Sequence, residues 1–183
     1  NEIITYSFVS PTIFDQIRLP GDSPLRNTLK IQNPLGEDTS VMRTTALPSM
    51  LDILSRNNAY HNKAAKLYEL AKVYLPVEGQ PLPEEPKILV LGAYGANQSF
   101  FTLKGELEAI LAGLNVKKAK YSAVTNHPSY HPGRCAKVTI GGVDVGYIGQ
   151  VHPLVAKNYD IEADVYCAEI NFTQLFDLRL PDA

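Results

Sequence analysis

Residues 137–151 read KVTIGGVDVGYIGQV, and this stretch decides the fold class. Two alternating runs flank Gly141-Gly142, a pair that accepts the positive φ of a tight primed turn. Runs joined in this way are neighbouring antiparallel strands, so the pattern predicts a β-hairpin. Working outward, His152-Pro153 opens a short helix, because proline lacks only an N–H that a first turn does not use. VYCAEINF (165–172) then reads as a closing strand. Upstream, KILVLGAYG (87–95) is an apolar strand that ends in glycines.

The first half supplies helices and shorter strands. In IITYSFV (3–9), Ile4, Tyr6 and Phe8 alternate against Thr5 and Ser7, which predicts a strand. Ser10-Pro11 offers an N-cap and a first-turn proline for a short helix over residues 10–17. LKIQ (29–32) is a second strand, stopped by the turn that starts at Asn33-Pro34. Leu47, Met50, Leu51 and Leu54 share one helical face, and the regular helix is expected to begin close to Pro48. SVMRTTA, just before it, is an irregular lead-in. AAKLYELAKVYL (64–75) has helical propensity, with Leu67, Leu70, Ala71 and Tyr74 on one face. GQPLPEEP (79–86) is a surface loop. TLKGELEAILAGL (102–114) is an amphipathic helix with Thr102 as its cap and Gly113 at its exit. Together these predict an α+β domain with a largely antiparallel sheet.

Composition narrows the function classes. The 183 residues are 45% hydrophobic, enough for a core of ordinary size, and carry a net charge of −2. That balance argues against non-specific phosphate binding by the whole surface. No apolar run reaches the roughly 18 residues of a membrane-spanning helix. Cys135 and Cys167 are too few for a disulfide framework, so both are expected to be buried thiols in a reducing cytoplasm. The chain opens Asn1-Glu2 without an initiator methionine, which leads to the expectation of a segment of a longer protein.

Four constellations bear on chemistry. His127, His131 and Cys135 have zinc-ligand spacing on a helix, but Pro128, Pro132 and Gly133 forbid that helix. Gly92 and Gly95 follow a strand and offer a phosphate-cradling loop, without a P-loop lysine; with Arg134 they form the alternative reading of a nucleotide-binding enzyme. No GxSxG or HExxH stretch points to a hydrolase. Arg43, at the entrance of an apolar helix, requires a carboxylate or carbonyl partner if buried. Glu37 and Asp38 are the nearby candidates, and a phosphate or partner-chain contact is the alternative.

Two long stretches add a resemblance. NPLGEDTSVMRTTALPSMLDILSRN (33–57) and HPSYHPGRCAKVTIGGVDVGYIGQVHPLV (127–155) are similar to NPxxxExSxMRxSLLPxLLxxxxxN and HPGRxAxxxxxGxxxGxxGExHPxV. These motifs belong to the catalytic-like domain of the bacterial phenylalanyl-tRNA synthetase beta chain. ITYSFVSP, FFTLKGELEAIL and VYCAEINF fit the family in the same order, so the resemblance covers nearly all of residues 1–183, read as one catalytic-like domain.

The resemblance implies a class II aminoacyl-tRNA synthetase-like fold, an antiparallel sheet flanked by helices. It also implies an enzyme of two alpha and two beta chains that charges tRNA-Phe with ATP and Mg²⁺ on the alpha chain. The domain itself is then a non-catalytic scaffold with no catalytic, cofactor or metal residue of its own. Its interface and structural motif residues are Asn33, Pro34, Glu37, Met42, Arg43, Thr44, Pro48 and Leu51, with His131, Pro132, Gly133, Arg134, Gly149, His152 and Pro153.

The family places KLYELAKVYL on a strand, against its propensity, and strand is the expectation adopted here. Neither that segment, in the position of the phosphate-binding motif 2, nor the glycine-rich GGVDVGYIGQVHP contains an arginine. Two absent cations would cost several kcal/mol of transition-state stabilisation. Two departures stand out. Gln150 replaces the usual Glu, removing a charge that would pair with Arg134, and Cys135 replaces Ser.

Overall fold

The computed structural model describes residues 1–180. In chain order, β1 (Phe8–Val9) is followed by α1 (Ile13–Gln16), β2 (Val41–Met42), α2 (Leu47–Ala59), β3 (Ala65–Lys72) and β4 (Lys87–Tyr94). Then come α3 (Phe100–Gly113), β5 (Ala119–Ala123), β6 (Tyr130–Ile140), β7 (Val143–Val151), α4 (Pro153–Asn158), β8 (Val165–Asn171) and α5 (Phe172–Leu175). Six strands form one sheet in the order β3-β4-β8-β7-β6-β5, and every neighbouring pair is antiparallel. β1 and β2 form a separate two-stranded ribbon.

The hairpin forms as its turn chemistry dictates. β6 and β7 meet at Gly141 and Gly142, with φ of +58° and +85°. β3 is a strand despite its helical composition. Ala65, Leu67, Glu69 and Ala71 pair across to β4 on the inner face, while Lys66, Tyr68, Leu70 and Lys72 point out. β4 is buried from Leu89 to Tyr94 and needs a neighbour on this edge, so long-range pairing overrides local preference.

Four expectations shrink or shift. The segment 3–9 is a two-residue strand preceded by a parallel bridge of Glu2 to Tyr68, and LKIQ reduces to a single bridge of Lys30 to Val41. The helix expected over 10–17 is one turn. α3 starts earlier than Thr102, because Ser99 is its N-cap and Thr102 completes the reciprocal capping box.

Both faces of the sheet are covered. On one face, α2 lays Leu47, Met50, Leu51 and Leu54 into a core with Tyr130, Val151, Val155 and Cys167. On the other, α3 sets Leu103, Leu107 and Leu111 against Val138, Ile148, Ala168 and Ile170. Pro48 lies in the first turn of α2, as its chemistry requires. Cys135 and Cys167 are free and buried, and burial pushes both thiols up, Cys135 to about 12. Among the described residues, no helix is long and apolar enough to cross a membrane.

Candidate functional site

Arg43 lies at the junction of the N-terminal segment, α2 and β3, and is 2% exposed. Its Nε donates to the Lys72 carbonyl at 2.9 Å, one terminal nitrogen to Thr5 Oγ1 at 2.6 Å, and the other to Glu69 Oε1 at 3.2 Å. Glu69 also accepts the Thr5 N–H (3.1 Å) and hydroxyl. A buried charge of either sign is tolerated only with such pairing. The carboxylate partner is therefore neither Glu37 nor Asp38, which are exposed in the turn before β2. Nor is Arg43 open to an acid from another chain. The inward parity of β3 delivers Glu69 beneath α2, and sequence proximity misidentified the acid.

The other residues of the first motif divide by depth. Asn33 and Pro34 are exposed in the turn, Met42 is half-buried in β2, and Leu51 is fully buried. Thr44 donates its hydroxyl to the Leu25 carbonyl, tying the 20–28 loop to the start of α2.

The histidines share one local device. In His127-Pro128-Ser129, His131-Pro132-Gly133 and His152-Pro153-Leu154, the ring Nδ1 accepts the backbone N–H two residues on, at 3.2, 3.0 and 3.1 Å. Proline has no N–H, so the ring satisfies the next donor and closes a tight turn. At His152 this turn is the N-cap of α4, with Pro153 in the first turn. The bonds fix Nδ1 as the acceptor in each ring. His127 is packed edge-on to the Tyr130 and Tyr147 rings, and burial lowers its pKa to about 4. Cys135 lies in the core, and among the described residues no group of three or more His, Cys, Asp or Glu side chains is disposed to hold a metal.

The nucleotide reading fails on packing. Gly92 is inside β4, where an added Cβ would come within 2.7 Å of Met50 and 2.9 Å of Leu54; its missing side chain makes room for α2. Gly95 has φ of +129° and its Cβ position is filled by Ala64. Gly149 serves the same close approach, since its Cβ would lie 2.6 Å from the Arg134 carbonyl. Arg134 donates to Gln150 Oε1 at 2.6 Å, and Gln150 Nε2 donates to Asp164 at 3.0 Å. The amide of Gln150 thus relays between a cation and an acid where a carboxylate was expected to be missed.

A second acid, half-buried, was also not singled out from the sequence. Glu169, on β8, accepts from Thr45 Oγ1 at 3.0 Å and from Tyr130 Oη at 2.8 Å, and burial raises its pKa. Its signal was present: a glutamate at an inward position of a strand, as in β3. Across the sheet, Glu69, Val90, Glu169 and Tyr147 stand in one register row. Glu169 and Tyr147 line a cavity of about 250 Å³ on the α2 face.

The family model for the phenylalanyl-tRNA synthetase beta chain CLM domain matches residues 1–172. The chain belongs to this family. It is 49% identical over 177 residues to the phenylalanine–tRNA ligase beta subunit of Clostridium tetani, covering 96% of this chain and 22% of the relative. Against the same subunit of Clostridium acetobutylicum it is 47% identical over 178 residues, 97% of this chain and 22% of the relative. The CLM chain thus spans about 22% of the length of these curated relatives. Its fold is shared with pyrrolysyl-tRNA synthetase from Desulfitobacterium hafniense, with a TM-score of 0.75 at 13% identity over 96% of this chain and 61% of that one.

Proposed function

We propose that residues 1–183 form one class II synthetase-like domain that serves as a non-catalytic scaffold and interface within the beta subunit of a cytoplasmic phenylalanine–tRNA ligase. In this reading an alpha chain charges tRNA-Phe with ATP and Mg²⁺, and two alpha and two beta chains make up the enzyme. The observation that carries it is the family match over residues 1–172 together with a sheet in which arginine is nearly absent. Of the six strands of the sheet, only β6 contains an arginine, Arg134, and it is engaged with Gln150. A ligase site of this class stabilises developing phosphate charge with more than one such group.

The surface offered to the alpha chain differs from the one the sequence pattern suggests. The apolar stripe of α2 is spent on its own core, since Met50, Leu51 and Leu54 are fully buried. The apolar row of the N-terminal segment instead faces outward: Ile4 is 91% exposed, Tyr6 87% and Phe8 49%, while Thr5 turns in to Glu69. A groove of about 370 Å³ separates this row from the outer side of α2, where Asp52, Ile53 and Arg56 line it. An apolar row beside a charged rim fits a protein interface.

The test is Tyr6→Glu in the intact beta subunit, co-expressed with the alpha chain. The expected outcome is at least a tenfold loss of co-purified alpha chain with an unchanged circular dichroism spectrum. Undiminished assembly would remove this face from the interface.

A further inference from the structure

We propose that the cavity between the start of α2, the loop 17–25 and the facing ends of β4, β7 and β8 binds a small organic ammonium ion. The ligand class is a primary amine on an apolar body no larger than an aromatic side chain, with Glu169 as its counter-ion. The cavity holds about 250 Å³ and its walls include Leu25, Val73, Leu75, Ile88 and Tyr147. That volume lies below the roughly 300–1,000 Å³ of pockets for drug-sized ligands, so a nucleotide does not fit.

Charge decides the ligand's sign. Among the described residues, Glu169 is the only acid lining the cavity and no Lys or Arg lines it; its partners, Thr45 and Tyr130, are neutral hydroxyls. Each carboxylate oxygen accepts one of these bonds and keeps a second acceptor position. The contrast is with Glu69, two strands away in the same row, whose carboxylate meets the Arg43 guanidinium. The buried carboxylate of the row carries its own cation; the half-buried one faces a cavity of ligand size.

Several other polar groups on the wall are already used within the chain. The Thr44 and Ser129 hydroxyls donate to the Leu25 and Ile17 carbonyls, and the Asn171 side chain accepts the Gln174 N–H. His127 Nδ1 accepts the Ser129 N–H. With no second carboxylate, histidine cluster or thiol group assembled there, a bare metal ion lacks ligands among the described residues. An ammonium needs only acceptors and an apolar sleeve for its body, and the Tyr147 ring on the wall favours a cation further.

The experiment is calorimetric titration of the intact beta subunit with isopentylamine and 2-phenylethylamine, against 3-methylbutan-1-ol and 2-phenylethanol. At least one amine is expected to bind with a Kd of about 0.1–5 mM, and its alcohol at least tenfold more weakly. Glu169→Gln is expected to weaken the amine at least tenfold. Leu75→Phe, which fills the cavity and leaves the carboxylate in place, is expected to weaken it as much, so the conclusion does not hang on one variant's folding. Binding that both variants leave intact, equal binding of amine and alcohol, or no saturable heat from either amine overturns the proposal. Assembly with the alpha chain is read separately, so the interface reading stands or falls by its own measurement.

Discussion

At the scale of the residue, Arg43 and His127 carry the clearest consequences. Arg43 ties the N-terminal segment to β3 through Thr5, Lys72 and Glu69, so removing it leaves a buried carboxylate without its cation. Arg43→Ala should cost about 3–5 kcal/mol in urea unfolding, and Arg43→Met with Glu69→Leu should recover most of that. That the arginine needed an acid was legible from its place before an apolar helix. Which acid was not, because the chain path that brings β3 under α2 is set by sheet pairing rather than by proximity in sequence. His127 titrates at about 4 when folded and near 6.5 when unfolded, so between those values the unfolded chain binds the extra proton. Stability from this group is complete above pH 6.5 and is lost as pH falls through 4. The limit is about 3 kcal/mol, or roughly 1–2 after allowing for partial exposure. His127→Asn retains an acceptor for the Ser129 N–H and does not titrate. Its unfolding free energy should therefore lack that decline between pH 6.5 and 4. Glu169, whose pKa is raised, has the opposite sign: its contribution is complete below the unfolded carboxyl range and fades as pH rises through the folded value.

At the scale of the element, the glycines show which contacts are tight. α2 crosses β4 where Gly92 leaves room for Met50 and Leu54. Gly92→Ala should destabilise by about 1–3 kcal/mol, as an overpacked core does. Combined with Met50→Ala, the two changes should cost at least about 1 kcal/mol less than their sum, a coupling that urea titrations of the double-mutant cycle would measure. Simple additivity would mean that α2 does not rest on this glycine. The hairpin was legible because Gly141-Gly142 and the flanking alternation specify turn and strands together. β3 was not legible from local pattern: Leu67, Leu70 and Ala71 share a helical face, whereas alternation puts Leu70 on the side opposite Leu67 and Ala71. Only the apolar β4 beside it, supplied by the fold, decides between the two. The His-Pro turns were half legible. The prolines excluded a helix and with it the zinc spacing, but the ring-to-backbone bonds that replace it became visible only in the geometry.

At the scale of the whole molecule, both faces of the sheet are covered and the apolar N-terminal row points outward, at the edge proposed to meet the alpha chain. The motifs made the family legible. The direction in which Ile4, Tyr6 and Phe8 point was not legible, because alternation alone does not say which side of a strand meets the core. The central claim is that this domain supports the ligase without performing its chemistry. Arg134, the one arginine in the six-stranded sheet, offers the most direct test. ATP–pyrophosphate exchange should be measured on assembled ligase carrying Arg134→Ala, normalised to intact complex. The account predicts a rate within about twofold of the unsubstituted enzyme, whereas a fall of about 10²-fold or more, the size of losing a charge-stabilising donor, would contradict it.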